Sequence, residues 1–172
     1  RLMDLTILIP TRIETEDRLR NIISSVSYLL KHIPAKIIVK EVSDQNAFKF
    51  RALPEIKKYV DTSNLTCLFE ETKEPLFCKS KVLNDMIVAA DTNVVANYDA
   101  DCILPLDAYH QAYGAIENNA LDVVYPYQCG IYQWKADYSM DIYNSFIQNL
   151  STDVLDKSKT LSNSTIGWSQ FI

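Results

Sequence analysis

Asn93-Val94-Val95-Ala96-Asn97-Tyr98-Asp99-Ala100-Asp101 is the stretch on which the reading of this chain turns. A short apolar run bounded by polar residues predicts a buried strand over 93–98. The run is too apolar to carry charge internally, so the two carboxylates after it mark where the chain leaves a sheet. On extended backbone, side chains two apart share a face, so Asp99 and Asp101 can both address one ligand. Two like charges so placed repel, and a hard divalent cation carrying phosphate oxygens relieves that repulsion. The plain alternative is a solvated turn that caps a helix starting at Pro105.

Upstream, Leu5-Thr6-Ile7-Leu8-Ile9 predicts a first buried strand, stopped by Pro10. Leu19, Ile22, Ile23, Val26, Leu29, Leu30 and Ile33 recur at three- and four-residue steps, an amphipathic helix ended by Pro34. Ile37-Ile38-Val39 forms a second strand and leads into Glu41-Val42-Ser43-Asp44. A weaker helix from Phe48 to Tyr59 contains Pro54 and is expected to break or start late. Leu65 to Phe69 reads as a third strand, and Val82, Leu83, Met86, Ile87 and Ala90 as another helical stripe.

Beyond the carboxylates, Pro105 opens a helix with Tyr109, Tyr113 and Ile116 on one face. Asp122 to Tyr127 is expected to be a fifth strand. An aromatic-rich region follows, with Tyr125, Tyr127, Tyr132, Trp134 and Trp168, read as a packed cluster rather than a sugar-stacking surface. A last helix carries Tyr138, Ile142, Phe146 and Leu150. Strands alternating with helices predict an α/β fold of three layers, α/β/α, around a mostly parallel sheet. Ligands of such sheets bind at the carboxyl ends of the strands.

The 172 residues suit a single domain, 1–172, and 48% hydrophobic with 23% charged residues describes a globular chain. Lys and Arg number 17 against 22 Asp and Glu, net −5, without clusters of one sign. That excludes a broad nucleic-acid-binding surface. No stretch approaches a membrane span, so the expected location is cytoplasmic, with peripheral membrane attachment left open for a longer protein. Cys67, Cys78, Cys102 and Cys129 show no C-x-x-C spacing and read as reduced thiols, and His32 and His110 complete no zinc site. The Asn-x-Ser/Thr triplets at Asn64, Asn149 and Asn163 are read as chance. Three glycines leave no phosphate-cradling P-loop and no G-x-G-x-x-G binder.

Four segments come in a telling order: Ile9-Pro10-Thr11-Arg12, Ile37-Ile38-Val39-Lys40-Glu41, Phe77-Cys78-Lys79-Ser80-Lys81-Val82-Leu83-Asn84, and Asp99-Ala100-Asp101. Over roughly residues 4–130 this resembles the nucleotide-sugar-binding part of GT-A glycosyltransferases, the family-2 type that includes chondroitin-polymerase-like enzymes. The resemblance implies a hexosyltransferase-like, inverting enzyme of polysaccharide or glycoconjugate synthesis, with a UDP-sugar donor, a carbohydrate acceptor and Mn2+ or Mg2+. It places Pro10, Thr11 and Arg12 against the nucleotide, with Arg12 within reach of a phosphate. It gives the uracil edge to Glu41 or Asp44, and puts Lys79, Lys81 and Asn84 near base and phosphates. Asp99 would approach the ribose or donor sugar, and Asp101 would bind the metal.

The loop glycines common in the family are missing. Gly167 to Ile172 resembles the strand before the family's acceptor-side segment, so the general base is expected beyond Ile172 in a longer enzyme. The chain is then expected to bind a UDP-sugar and transfer it poorly, with Asp137, Asp141 and Asp153 the bases to test if it transfers well. The other classes are a non-catalytic nucleotide-sugar or carbohydrate-binding module and a D-x-D phosphohydrolase. In the latter the motif follows a domain's first strand and precedes Thr, where this chain has Cys102.

Overall fold

The run opening at Leu5 forms β1, Leu5–Thr11, and all seven of its residues are buried. The computed structural model describes residues 1–127, 139–156 and 169–172. In it, β1 pairs in parallel with β2, Lys36–Ser43, on one side and with β4, Val94–Tyr98, on the other. β3, Leu65–Glu71, adds in parallel outside β2, and β5, Ser169–Phe171, adds antiparallel outside β4. The order is β3-β2-β1-β4-β5. A strand so enclosed needs apolar branched residues on both faces, which is why β1 and β2 read as continuous runs rather than alternations.

Leu5, Ile7 and Ile9 face one layer, and Leu8 faces the other. The first layer holds α1, Glu16–His32, and α4, Leu106–Glu117; their Ile22, Val26, Leu29 and Tyr109 pack with the odd residues of β1. α3, Lys79–Ala89, covers the second face through Val82 and Met86, against Leu8, Ile38 and Val42. Each fully buried aliphatic side chain stabilises the fold by about 1.5–3 kcal/mol relative to exposure. Thr15 caps α1 by accepting from the Arg18 amide at 3.2 Å. Glu16 and Asp17 in the first turn and Lys31 and His32 in the last complement its dipole. The helix stops at Ile33, ahead of Pro34, where the following proline disfavours helical backbone. α5, Met140–Asn149, lies on α1, with the Tyr28 and Phe146 rings 6.1 Å apart, and α6 is the single turn Asp153–Asp156.

The fold is the expected α/β sheet with helices on both faces, and it corrects four details. Pro10 does not stop β1, which runs on to Thr11. By Pro10 the ladder to β4 has ended, at Leu8 and Asn97, so this part of β1 pairs on one side only and accommodates a residue without an N–H. Pro54 breaks nothing. A π-helical turn, Phe48–Ala52, continues into α2, Leu53–Ile56, with the proline at its start, where no amide partner is needed. Asp122 to Tyr127 is no strand: only Val124 bridges, to Phe171. The fifth strand is instead Ser169–Phe171, too short for any periodicity to reveal but inside the stretch whose resemblance marked a strand. Trp134, Tyr132, Trp168, Asp137, Cys129 and Asn163 lie outside the described residues.

Candidate functional site

Register places the key loops together. Thr11 sits opposite Glu41, and Leu8 opposite Asn97, so the ends of β1, β2 and β4 open on the same carboxyl edge of the sheet. Pro10 and Thr11 are buried and form the floor. Arg12 fastens three segments to one another. Its Nε donates to the Val42 carbonyl at 2.8 Å, and its Nη1 to the carbonyls of Glu74 and Pro75 at 2.9 and 3.1 Å. Its guanidinium lies over the Phe77 ring, 5.5 Å from the centroid. Nη2 is buried with no partner among the described residues, leaving one donor of a fixed cation for an incoming anion.

Glu41 and Asp44 behave differently. Glu41 is fully buried, and both of its carboxylate oxygens accept hydrogen bonds. Oε1 receives the Ser43 hydroxyl at 2.8 Å and the Ala47 amide at 3.1 Å, and Oε2 receives the Phe48 amide at 2.6 Å. It thereby supplies partners for orphan amides where the chain enters the π-helical turn, a place where anions are favoured. Asp44 is exposed and accepts no hydrogen bond among the described residues. In the same loop Asn46 takes φ 51°, the left-handed backbone that a glycine would otherwise provide.

Asp99 and Asp101 flank a tight turn directly after β4, closed by the Cys102 amide donating to the Asp99 carbonyl at 3.2 Å. Asp101 is exposed and has no bonded partner among the described residues. Asp99 is partly buried, and the Lys79 ammonium, first residue of α3, pairs with its Oδ1. Burial pushes the Asp99 carboxyl above its ordinary value against the pull of Lys79, and the charge of Asp101 adds to the rise. Two residues back, the Oδ1 of Asn97 is buried with no partner among the described residues.

The remaining basic residues are drawn elsewhere. Lys81 lies 3.5 Å from Glu70, which also pairs with the largely buried Lys40 at 2.9 Å, and Lys40 bonds Asp85 at 2.9 Å. Asn84 is exposed on α3. Thus Lys79 joins the carboxylate turn, whereas Lys81 joins an ionic cluster over β2 and β3.

The unpartnered groups at the end of β4 are oxygens, the donor class a hard cation takes. Among the described residues no group of three or more His, Cys, Asp or Glu converges. Asp101 and the free oxygen of Asp99 therefore fit Mn2+ or Mg2+ only as a partial shell, with diphosphate oxygens and water completing it. Tyr125 and Tyr127 meet edge-on at 6.1 Å beside a shallow groove formed with Ala108, Gln111 and Ala112 of α4. Residues that pattern reading passed over are Ser25, Tyr98 and Tyr109, whose hydroxyls reach the carboxylate loop from below. The available signal was a serine at position 25 inside the apolar stripe of α1.

No protein-family profile matches the chain, and it matches no curated protein. Its structure superimposes on S. aureus TarS 1–349 with a TM-score of 0.51 at 18% identity, covering 70% of this chain and 34% of that one. The same protein in complex with UDP-GlcNAc gives a TM-score of 0.51 at 18% identity, with 70% and 33% covered. The mannosyltransferase PcManGT from Pyrobaculum calidifontis, in complex with GDP-Man and Mn2+, aligns at a TM-score of 0.47 and 20% identity, over 76% and 34%. The chain spans about a third of the length of these proteins. The likeness establishes the fold, that of the GT-A nucleotide-diphospho-sugar transferases. No helix among the described residues is long and apolar enough to cross a membrane.

Proposed function

We propose that the chain is the donor-binding part of a glycosyltransferase of the family-2 type, holding a UDP-sugar on the carboxyl edge of β1, β2 and β4. The observation that carries this reading is the turn after β4. There an exposed Asp101 and a half-buried Asp99 with a lysine on one oxygen stand at the strand end where parallel sheets receive ligands. The solved TarS complex with UDP-GlcNAc, on the same fold, supports the donor class.

In this reading Asp101 is the main protein ligand of Mn2+ or Mg2+, and Asp99 faces the ribose or donor sugar. The bound ion would neutralise charge developing on the departing UDP. The protein's own contribution is electrostatic and positional. Arg12 is a fixed charge locked by three carbonyls, its Nη2 with no partner among the described residues, and Lys79 adds a cation at the carboxylate turn. Of the two acids expected at the uracil edge, Asp44 is free to accept the imide proton, whereas the oxygens of Glu41 are taken by backbone amides. Displacement at the anomeric carbon with inversion needs a base on the acceptor side, and none is assigned within this chain.

Calorimetry with UDP, with and without Mn2+, on wild type and Asp101→Asn tests the proposal. Wild type gains affinity with Mn2+, and Asp101→Asn loses that gain. Equal affinity in all four titrations would overturn it.

A further inference from the structure

The turn carrying Asp99 and Asp101 is held from beneath by hydroxyl groups of three separate elements. From α1, the Ser25 hydroxyl donates to the Ala100 carbonyl at 2.6 Å, closer than its other acceptor, the Ile22 carbonyl, at 3.4 Å. Also from α1, the Tyr28 hydroxyl reaches the Leu104 carbonyl at 3.4 Å. Tyr98 of β4 and Tyr109 of α4 bond each other at 2.5 Å; Tyr98 also contacts the Cys102 carbonyl at 2.6 Å, and Tyr109 the Leu104 amide at 3.0 Å. All four side chains are buried: Ser25 0%, Tyr28 3%, Tyr98 1% and Tyr109 0% exposed.

The direction of this chain of bonds follows from its ends. A carbonyl can only accept and an amide can only donate. The Tyr98 proton therefore goes to Cys102, the Tyr109 proton to Tyr98, and the free lone pair of Tyr109 receives the Leu104 amide. Burial raises both phenols above the ordinary tyrosine value, so both keep the protons this arrangement needs. The backbone between Asp99 and Leu104 is thus bonded to buried hydroxyls at Ala100, Cys102 and Leu104. Such a loop holds its two acids at a fixed separation before any ligand arrives.

We infer that Ser25 and the Tyr98–Tyr109 pair are positioning residues for Asp99 and Asp101, acting on metal-dependent ligand binding through the backbone. The inference rests on reading those acids as the metal-binding pair. Groups that orient metal ligands from behind typically matter by about 10–100-fold in metal affinity. Ser27 is the natural control: it is on the same helix, equally buried, and its hydroxyl has no partner among the described residues.

The test titrates UDP with and without Mn2+ into wild type, Ser25→Ala, Tyr109→Phe and Ser27→Ala, and follows backbone hydrogen exchange of peptides spanning 98–104. The expected result is a fall of about 10-fold or more in the Mn2+-dependent gain for Ser25→Ala and Tyr109→Phe. Their metal-free UDP affinity stays at the wild-type value, exchange over 98–104 quickens, and Ser27→Ala behaves as wild type. General unfolding would lower metal-free affinity too, so the split separates positioning from mere structure. If the wild type shows the Mn2+ gain and both variants keep it, the positioning role is wrong while the metal reading stands. If the wild type shows no Mn2+ gain, the metal reading itself fails and the inference falls with it.

Discussion

Glu41→Gln preserves the size of the side chain and exchanges one oxygen for an amide group. The wild-type carboxylate accepts three bonds, from Ser43 Oγ, the Ala47 amide and the Phe48 amide. A glutamine can place its oxygen toward Phe48 or toward Ala47, never both, so its NH2 must face one backbone amide donor against donor. The Ser43 hydroxyl can turn to accept; the amide cannot. One charge-assisted bond is lost and one N–H in a fully buried setting is left unsatisfied, together about 3 kcal/mol. In a chain of this length each kcal/mol moves the melting temperature by about 2–4 °C, so Glu41→Gln is expected to melt about 6–12 °C below wild type. Circular dichroism melts at neutral pH measure it, beside Asp44→Asn, which is exposed and leaves the melting temperature unchanged. The two variants should also divide the nucleotide effect: Glu41→Gln, held well below its melting point, keeps preference for UDP over CDP, and Asp44→Asn loses it. A Glu41→Gln variant as stable as wild type would refute the argument that this carboxylate organises the turn.

Other outcomes follow from the same structure. Lys79→Met removes the ammonium that opposes the burial-driven rise of Asp99, so Mn2+-dependent UDP binding, which needs the carboxylate, should fail at a higher pH than in wild type. An unmoved midpoint in calorimetry over about pH 4–7 contradicts the pairing. For stability, native Asp99 holds its proton more tightly than the unfolded chain does. Its destabilising contribution is therefore full above its raised folded value and is relieved as pH falls toward the ordinary carboxylate value. Burial pushes the Cys102 thiol up to about 12, so at about pH 8 maleimide should label the exposed Cys78 first and Cys102 only in denaturant. Mass-spectrometric mapping that finds equal native rates would show the region beneath the turn to be open.

The sheet was legible because Leu5 to Ile9 and Ile37 to Val39 are runs buried on both faces, and Val94 to Tyr98 alternates buried with half-buried residues. The carboxylates of Asp99 and Asp101 were legible for the same reason in reverse, since charge marks where burial ends. β5 was legible only through the resemblance of Gly167 to Ile172 to a family strand, because three residues carry no period and its antiparallel partner lies far back along the chain. The function of Glu41 was half legible. Sequence shows an acid after a strand; whether its oxygens face a ligand or the next turn depends on how residues 43–48 fold back. The pairing of Lys81 with Glu70 was not legible, as Glu70 lies on a strand that spacing alone does not bring near. Ser25 could have been found by asking why a hydroxyl interrupts an apolar helical face.

The position of β5 has a consequence for how the molecule comes into being on the ribosome. β1 to β4 all leave the ribosome before Ser169–Phe171 exists, and until then β4 has a partner on only one side. Val95, whose amide and carbonyl both bond Ile172, lacks that partner in the nascent chain. At ordinary elongation rates that interval lasts on the order of several seconds, long enough for an unpaired apolar edge to meet other nascent chains. A message truncated anywhere between the codons for Asp99 and Trp168 therefore yields a product with an open edge on the very strand that ends in the acidic turn. Pairing of Ser169–Phe171 closes that edge and gives the strand that ends in the acidic turn its second neighbour.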